Sequence, residues 1–188
     1  LHRKQTQHLS WAAGLVLIFL TISLTAGSAT AQDLHRFSVS LFGGIGGSFD
    51  VSPGAGLDND TFQLSFSLVT APASLVSVRV GQLDFSGEKG FGIFSNADLS
   101  YLTVGGEFRS HKPFYDSGLY LALGGYRIEG QVGGVDNSDT SFGLVVGTTA
   151  DFPLNRWLSI LAELSGHVTD LDEAQFFGML HVGVSVRF

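Results

Sequence analysis

His181–Phe188, read HVGVSVRF, closes the sequence on strict alternation. His181, Gly183, Ser185 and Arg187 share one parity, and Val182, Val184, Val186 and Phe188 share the other. As a strand the segment therefore carries one polar and one apolar face. The period identifies the element but leaves open which face meets water.

The same period runs upstream. Phe62, Leu64, Phe66 and Leu68 alternate with Gln63, Ser65 and Ser67; Val76, Val78 and Val80 alternate with Ser77, Arg79 and Gly81; Leu158, Ile160, Ala162 and Leu164 alternate with Ser159, Glu163 and Ser165. Pro72, Pro113 and Pro153 fall at intervals of 41 and 40 residues, each in a short polar break, which is the repeat of a hairpin. Between them lie stretches rich in Asp, Asn, Gly and Ser at 50–60, 86–96, 130–139 and 170–174, read as longer loops. Cutting at these breaks predicts eight strands, near 35–49, 61–70, 75–85, 97–109, 117–129, 141–152, 157–169 and 175–188. After the first thirty or so residues, no run sustains apolar spacing at i, i+3, i+4 and i+7, so helices are not expected.

Composition narrows the class. Charged residues make up 14% of the chain, against roughly 25–35% on an ordinary soluble surface, so something other than water covers much of it. Cysteine is absent, which removes disulfides, thiolate metal sites and a cysteine nucleophile. Residues 1–31 place Arg3 and Lys4 before an apolar run and end in Ala29-Thr30-Ala31, the anatomy of a signal peptide, leaving 32–188 as a single barrel domain. That segment holds two basic residues and no acidic one, so the remainder is more acidic than the whole chain's −7. Such a balance argues against a nucleic-acid partner.

An alternating strand set closes in two inside-out ways, as a soluble ligand-binding barrel or as a membrane barrel. A soluble barrel needs Lys, Glu and Asp along its outward parity, yet here the polar parity is mostly Ser, Gly, Thr and Gln. That composition suits a tight lumen. The strand charges Arg36, Arg79, Glu107, Arg109, Arg127, Glu129, Asp151, Glu163 and Arg187 carry both signs and are expected to pair across it. The strand at 117–129 is discordant: turning Arg127 and Glu129 inward also turns Leu119, Leu121 and Leu123 inward, and a bulge near Gly124-Gly125 is the expected remedy. Aromatics fall into two groups, with Phe37, Phe108, Phe114, Tyr115, Phe152, Trp157 and Phe188 near the proline turns and Phe49, Phe62, Phe85, Phe142 and Phe176 near the long loops. Two such groups are expected of girdles at the two membrane interfaces.

With a signal peptide, short turns alternating with long loops, and the closing strand VGVSVRF, the chain resembles the small outer-membrane β-barrel proteins of Gram-negative bacteria typified by the OmpA transmembrane domain and OmpX. The resemblance implies an eight-stranded, antiparallel, up-and-down transmembrane barrel after Sec-type export. It places termini and short turns in the periplasm, with lipopolysaccharide and other outer-membrane lipids around the wall. It further implies that Val182, Val184, Val186 and Phe188 are read by the barrel-assembly machinery. The expected state is a monomer without cofactor or metal, in a structural or surface-interaction role. A lipid A-modifying enzyme of deacylase type and a narrow pore are the alternatives within that group.

Two features bear on chemistry. The outer loops would hold Asp50, Asp58, Asp60, Glu88, Asp136, Asp139, Asp170, Asp172 and Glu173 against Lys89 alone, without the regular oxygen-ligand spacing of a calcium loop. Glu163, Ser165 and His167 share a strand face and supply the parts of a nucleophilic triad. At roughly 3.3 Å rise per residue, same-face neighbours stand about 7 Å apart, so no direct bond between Ser165 and His167 is expected. A polar lumen stripe is the reading preferred for this trio, as it is for His35 and His181. The glycine clusters FGGIGGSF and VGGEF lie inside alternating strands rather than at a strand-to-helix turn that could cradle phosphate.

Overall fold

The computed structural model describes residues 36–49, 57, 59–85, 95–171 and 175–188. The segment 1–31, His35 and the loop residues Asp50, Asp58, Glu88, Lys89, Asp172 and Glu173 lie outside the described residues. Eight strands follow one another in chain order: β1 (Phe37–Ser48), β2 (Asn59–Ala71), β3 (Ser74–Phe85), β4 (Ser95–His111), β5 (Asp116–Val132), β6 (Val135–Pro153), β7 (Leu158–Thr169) and β8 (Phe176–Arg187). Each pairs antiparallel with its neighbours, and β8 returns to β1, closing the barrel. Closure leaves no edge along the wall where backbone groups would go unpaired.

The closing strand explains the alternation on which the sequence ends. β8 pairs with β1 from Ser38↔Arg187 to Ser48↔Phe177 and with β7 from Leu158↔Val186 to Val168↔Phe176, both without a register shift. The seam continues one residue further, where Phe188 N–H donates to the Phe37 carbonyl at 2.8 Å and Phe37 N–H to the Phe188 carbonyl at 3.3 Å. Val182 is 59% exposed on the outer wall, while its neighbour His181 is 0% exposed inside. The apolar parity therefore faces outward and the other parity fills the lumen. The same holds for Phe62, Phe66 and Leu68 against buried Gln63 and Ser65, and for Val78 and Val80 against buried Ser77 and Arg79.

Three connections form a turn end, at 71–74, 111–116 and 153–158, where both described termini also lie. The opposite, loop end carries the connections after β1, β3, β5 and β7. One of these differs from expectation. Residues 130–139 are not a loop: β5 and β6 stay paired up to Val132↔Val135, joined by Gly133 and Gly134 at φ 60° and 82°. A two-residue turn with both central residues in the left-handed region matches the twist of a hairpin, and glycine enters that region freely. Pairing of β6 with β7 stops at Gly143↔Thr169, so residues 135–142 extend beyond the barrel wall. There the Asn137 and Asp139 side chains accept from the Ser138 and Thr140 backbone N–H groups at 2.9 and 2.7 Å.

β5 also corrects the expected register. Its pairing with β4 and β6 is continuous through Gly124 and Gly125, with no bulge there. Leu119, Leu121 and Leu123 stay on the outer wall, and Tyr120, Ala122, Gly124, Tyr126 and Ile128 stay inside. Arg127 and Glu129 therefore project outward, with side chains 58% and 55% exposed, and pair with each other at 2.5 Å. They can do so because β5 runs 17 residues and, with β6, stays paired past the last β6–β7 pair, so its loop end rises above the rest of the wall.

Lumen tyrosines determine where small residues must sit. A Cβ on Gly81 would collide with the Tyr101 hydroxyl, and one on Gly147 with the Tyr120 ring. Each ring fills space that only a glycine on the neighbouring strand leaves open. Toward the loop end the interior is apolar and aromatic: Leu83, Phe85, Leu99, Ile128, Phe177 and Met179 pack with Tyr101 and Tyr126. Phe85, expected in the loop-side girdle, is instead 4% exposed within this cluster. Phe49, Phe62, Phe142 and Phe176 do face outward there, and Phe49 packs on Phe176 at 5.4 Å between ring centres.

Candidate functional site

Toward the turn end the lumen changes character. Glu163, at the middle of β7, accepts from Gln63 Nε2 of β2 at 3.2 Å and from the Tyr120 hydroxyl of β5 at 3.0 Å. Its second oxygen lies 3.1 Å from Arg79 Nη1 of β3, and its first lies 3.7 Å from His181 Nδ1 of β8. Arg79 reaches Glu107 of β4 at 3.3 Å through its other terminal nitrogen. Arg109, two residues along β4, donates to Glu107 at 2.8 Å and to Asp151 of β6 at 3.0 Å. Arg187 of β8 completes the series, donating to Asp151 at 2.7 and 2.6 Å and to Ser159 at 3.3 Å.

Six charges of alternating sign thus run Glu163, Arg79, Glu107, Arg109, Asp151, Arg187 from mid-barrel to the turn end. Three acids meet three bases, so the series is neutral as a whole. Removing ions from water costs several kcal/mol each unless they are paired and their remaining hydrogen-bonding capacity is used. The neighbours supply part of that capacity, while Arg79 Nη1, Glu163 Oε2 and His181 Nδ1 are buried without a hydrogen-bond partner among the described residues. Thr149 donates to Glu107 at 2.8 Å, and Tyr101 donates to Gln63 at 2.9 Å, which in turn donates to Glu163. Arg79 Nε has no hydrogen-bond partner among the described residues, but the guanidinium lies over the Tyr120 ring at 3.6 Å from its centre. That face-on contact stabilises a desolvated cation through the ring quadrupole.

Of the nine charges read from sequence as lumen groups, the structure brings together Arg79, Glu107, Arg109, Asp151, Glu163 and Arg187. Arg36 is exposed at the start of β1, and Arg127 and Glu129 stand outside near the loop end. Sequence reasoning missed Gln63, Tyr101, Tyr120 and Thr149. Gln63 and Thr149 carried a signal, as polar residues on the lumen parity, but the tyrosines did not, because a phenol hydroxyl bonded in a lumen reads as apolar in a period count.

Ser165 and His167 are closer than their spacing suggested. His167 Nε2 lies 3.1 Å from Ser165 Oγ, because the ring leans along the strand to reach it. Its other nitrogen meets the Tyr126 hydroxyl at 3.0 Å, not a carboxylate. The imidazole is stacked on Phe177 at 4.6 Å between ring centres, and Ser165 and His167 are 3% and 2% exposed. Both side chains are thus enclosed within the lumen. Among the described residues no group of His, Asp and Glu has the arrangement of a metal site.

By sequence the chain matches no family model and no curated protein. By structure it is similar to Neisserial surface protein A, with a TM-score of 0.67 and 16% identity over 81% of this chain and 97% of that one. It is also similar to the N-terminal β-barrel domain of Pseudomonas aeruginosa OprF, with a TM-score of 0.59 and 13% identity over 84% and 100% of the two chains. A third similar structure is Ail, the attachment invasion locus protein of Yersinia pestis, with a TM-score of 0.55 and 17% identity over 81% and 97%. At these identities the likeness is one of fold: the chain has the closed eight-stranded architecture of the small outer-membrane barrels.

Proposed function

We propose that the chain is an integral outer-membrane barrel of a Gram-negative envelope, with a closed lumen and a structural or surface-interaction role. The observation that carries this reading is the outward apolar parity set against a neutral, paired series of lumen charges. A wall of exposed Val, Leu and Phe suits acyl chains, and among the described residues buried side chains run through the interior from Phe177 and Met179 to Glu107 and Asp151. The folds of Neisserial surface protein A, OprF and Ail support the same location. In this reading residues 1–31 direct Sec-type export, and the assembly machinery reads Val182, Val184, Val186 and Phe188. Lipopolysaccharide surrounds the loop end, the protein is monomeric, and the long β5–β6 hairpin is the most projecting surface among the described residues.

Membrane fractionation combined with electrophoresis of heated and unheated samples, followed by planar-bilayer recording, tests the reading. The expected result is an outer-membrane band whose mobility shifts on heating and which passes no sustained current. Recovery of the folded protein in the soluble fraction would contradict the location, and stable unitary openings would replace the closed lumen with a narrow pore. The contact between Ser165 and His167 is the one observation favouring a lipid A-modifying enzyme. Lipid A mass spectra are expected to be unchanged on expression. A change that disappears in Ser165→Ala would favour the enzyme instead.

A further inference from the structure

Among the described residues the two rims of the barrel differ in charge. Near the loop end the described residues include Asp60, Asp84, Asp98, Glu129, Asp136 and Asp139, and the arginine among them, Arg127, is taken by Glu129 at 2.5 Å. At the turn end the pattern is reversed. Glu107 and Asp151 are engaged by lumen arginines, and Asp116 is bonded to His111 at 2.7 Å. That leaves Arg36, Lys112 and Arg156 exposed on the rim with no acidic side chain paired to them among the described residues.

Each of these cations lies within two residues of an exposed aromatic in the sequence, and one of the three pairs is in ring contact. Phe37 follows Arg36, Phe114 lies two residues after Lys112 and is 86% exposed, and the Arg156 guanidinium lies 5.1 Å from the centre of the Trp157 ring. The three pairs come from the start of β1, the β4–β5 turn and the β6–β7 turn, so they are distributed around the rim rather than gathered on one side. Aromatic side chains at this position sit at the level of lipid headgroups, and long basic side chains beside them extend to the phosphates. Resting on the membrane reading above, we propose that the turn-end rim is a binding surface for anionic glycerophospholipid headgroups, held by Arg36, Lys112 and Arg156. The rings place the cations at headgroup depth, which selects a lipid over a soluble anion.

Trp157 reports this directly, since the only other tryptophan is Trp11. The full chain carrying Trp11→Phe is reconstituted in phosphatidylcholine bilayers containing either dibrominated phosphatidylglycerol or dibrominated phosphatidylcholine, and quenching of Trp157 is compared at equal mole fraction. Brominated phosphatidylglycerol is expected to be preferred about threefold at low salt, as headgroup attraction of basic residues requires. The preference should fall toward one at about 0.5 M salt, where exposed charges are screened. It should fall likewise in the triple variant Arg36→Gln, Lys112→Gln, Arg156→Gln, whose folding is verified by its heat shift. Equal quenching by the two lipids at low salt, or a preference that survives the triple variant, would overturn the proposal while leaving the membrane reading intact. Quenching by neither lipid would overturn both.

Discussion

The two halves of the lumen are filled by different physics inside one closed sheet. Toward the loop end Leu83, Leu99, Ile128, Phe177 and Met179 exclude one another from solvent, with Tyr101 and Tyr126 among them. Toward the turn end six charges are each held by an opposite neighbour. Apolar packing degrades gradually, because each lost methylene removes a modest number of contacts. A paired series does not, because deleting one member strands another charge in low dielectric. Tyr101 stands at the boundary, packed in the first half while its hydroxyl donates to Gln63 in the second. The barrel is thus robust at one end and brittle at the other.

The largest effect is expected at the hub. Glu163→Gln keeps the volume but leaves Arg79 facing an amide, and should lower stability by about 3–5 kcal/mol in urea titrations followed by the heat shift. The double variant Arg79→Met with Glu163→Met should lose less than the two single variants summed, since no unpaired charge remains. Leu99→Ala in the other half should cost about 3 kcal/mol, mid-range for a buried leucine, with unfolding still cooperative. If it cost more than Glu163→Gln, the contrast between the halves would fail. Tyr101→Phe should cost about 2 kcal/mol, because the Gln63 oxygen loses its donor in a buried site. Gly133→Ala should cost about 1 kcal/mol, confined to the β5–β6 turn where the backbone is left-handed, and should leave both halves of the lumen unaffected.

The wall was legible in the sequence because the outer face and the lumen of a closed sheet sort residues with a period of two, and β8 shows this most cleanly: Val182, Val184 and Val186 outside, His181 and Ser185 inside. The interior was less so. In β5 the inward row is Tyr120, Ala122, Tyr126 and Ile128, as apolar as the outward row of Leu119, Leu121 and Leu123, so hydrophobicity could not tell the faces apart. Phe85 was misplaced for the same reason. The stretch 130–139 carries loop composition, yet pairing with β5 makes much of it strand, and only Gly133-Gly134 marked the real turn. The charge series was readable as a list and not as a sequence of partners. Arg79 meets Glu163 across the lumen from β3 to β7, and that meeting depends on barrel stagger, which no local pattern encodes.

The assignment of faces is tested most directly by site-directed spin labelling in bilayers, which a chain without native cysteine allows with no background. Labels placed singly at Val182, Val184 and Val186, and at Ser185, are compared for collision with oxygen, which partitions into acyl chains, and with a water-soluble nickel chelate. High oxygen and low nickel accessibility is expected at the three valines, and low accessibility to both at Ser185. Nickel accessibility at the valines, with oxygen accessibility at Ser185, would turn the barrel inside out.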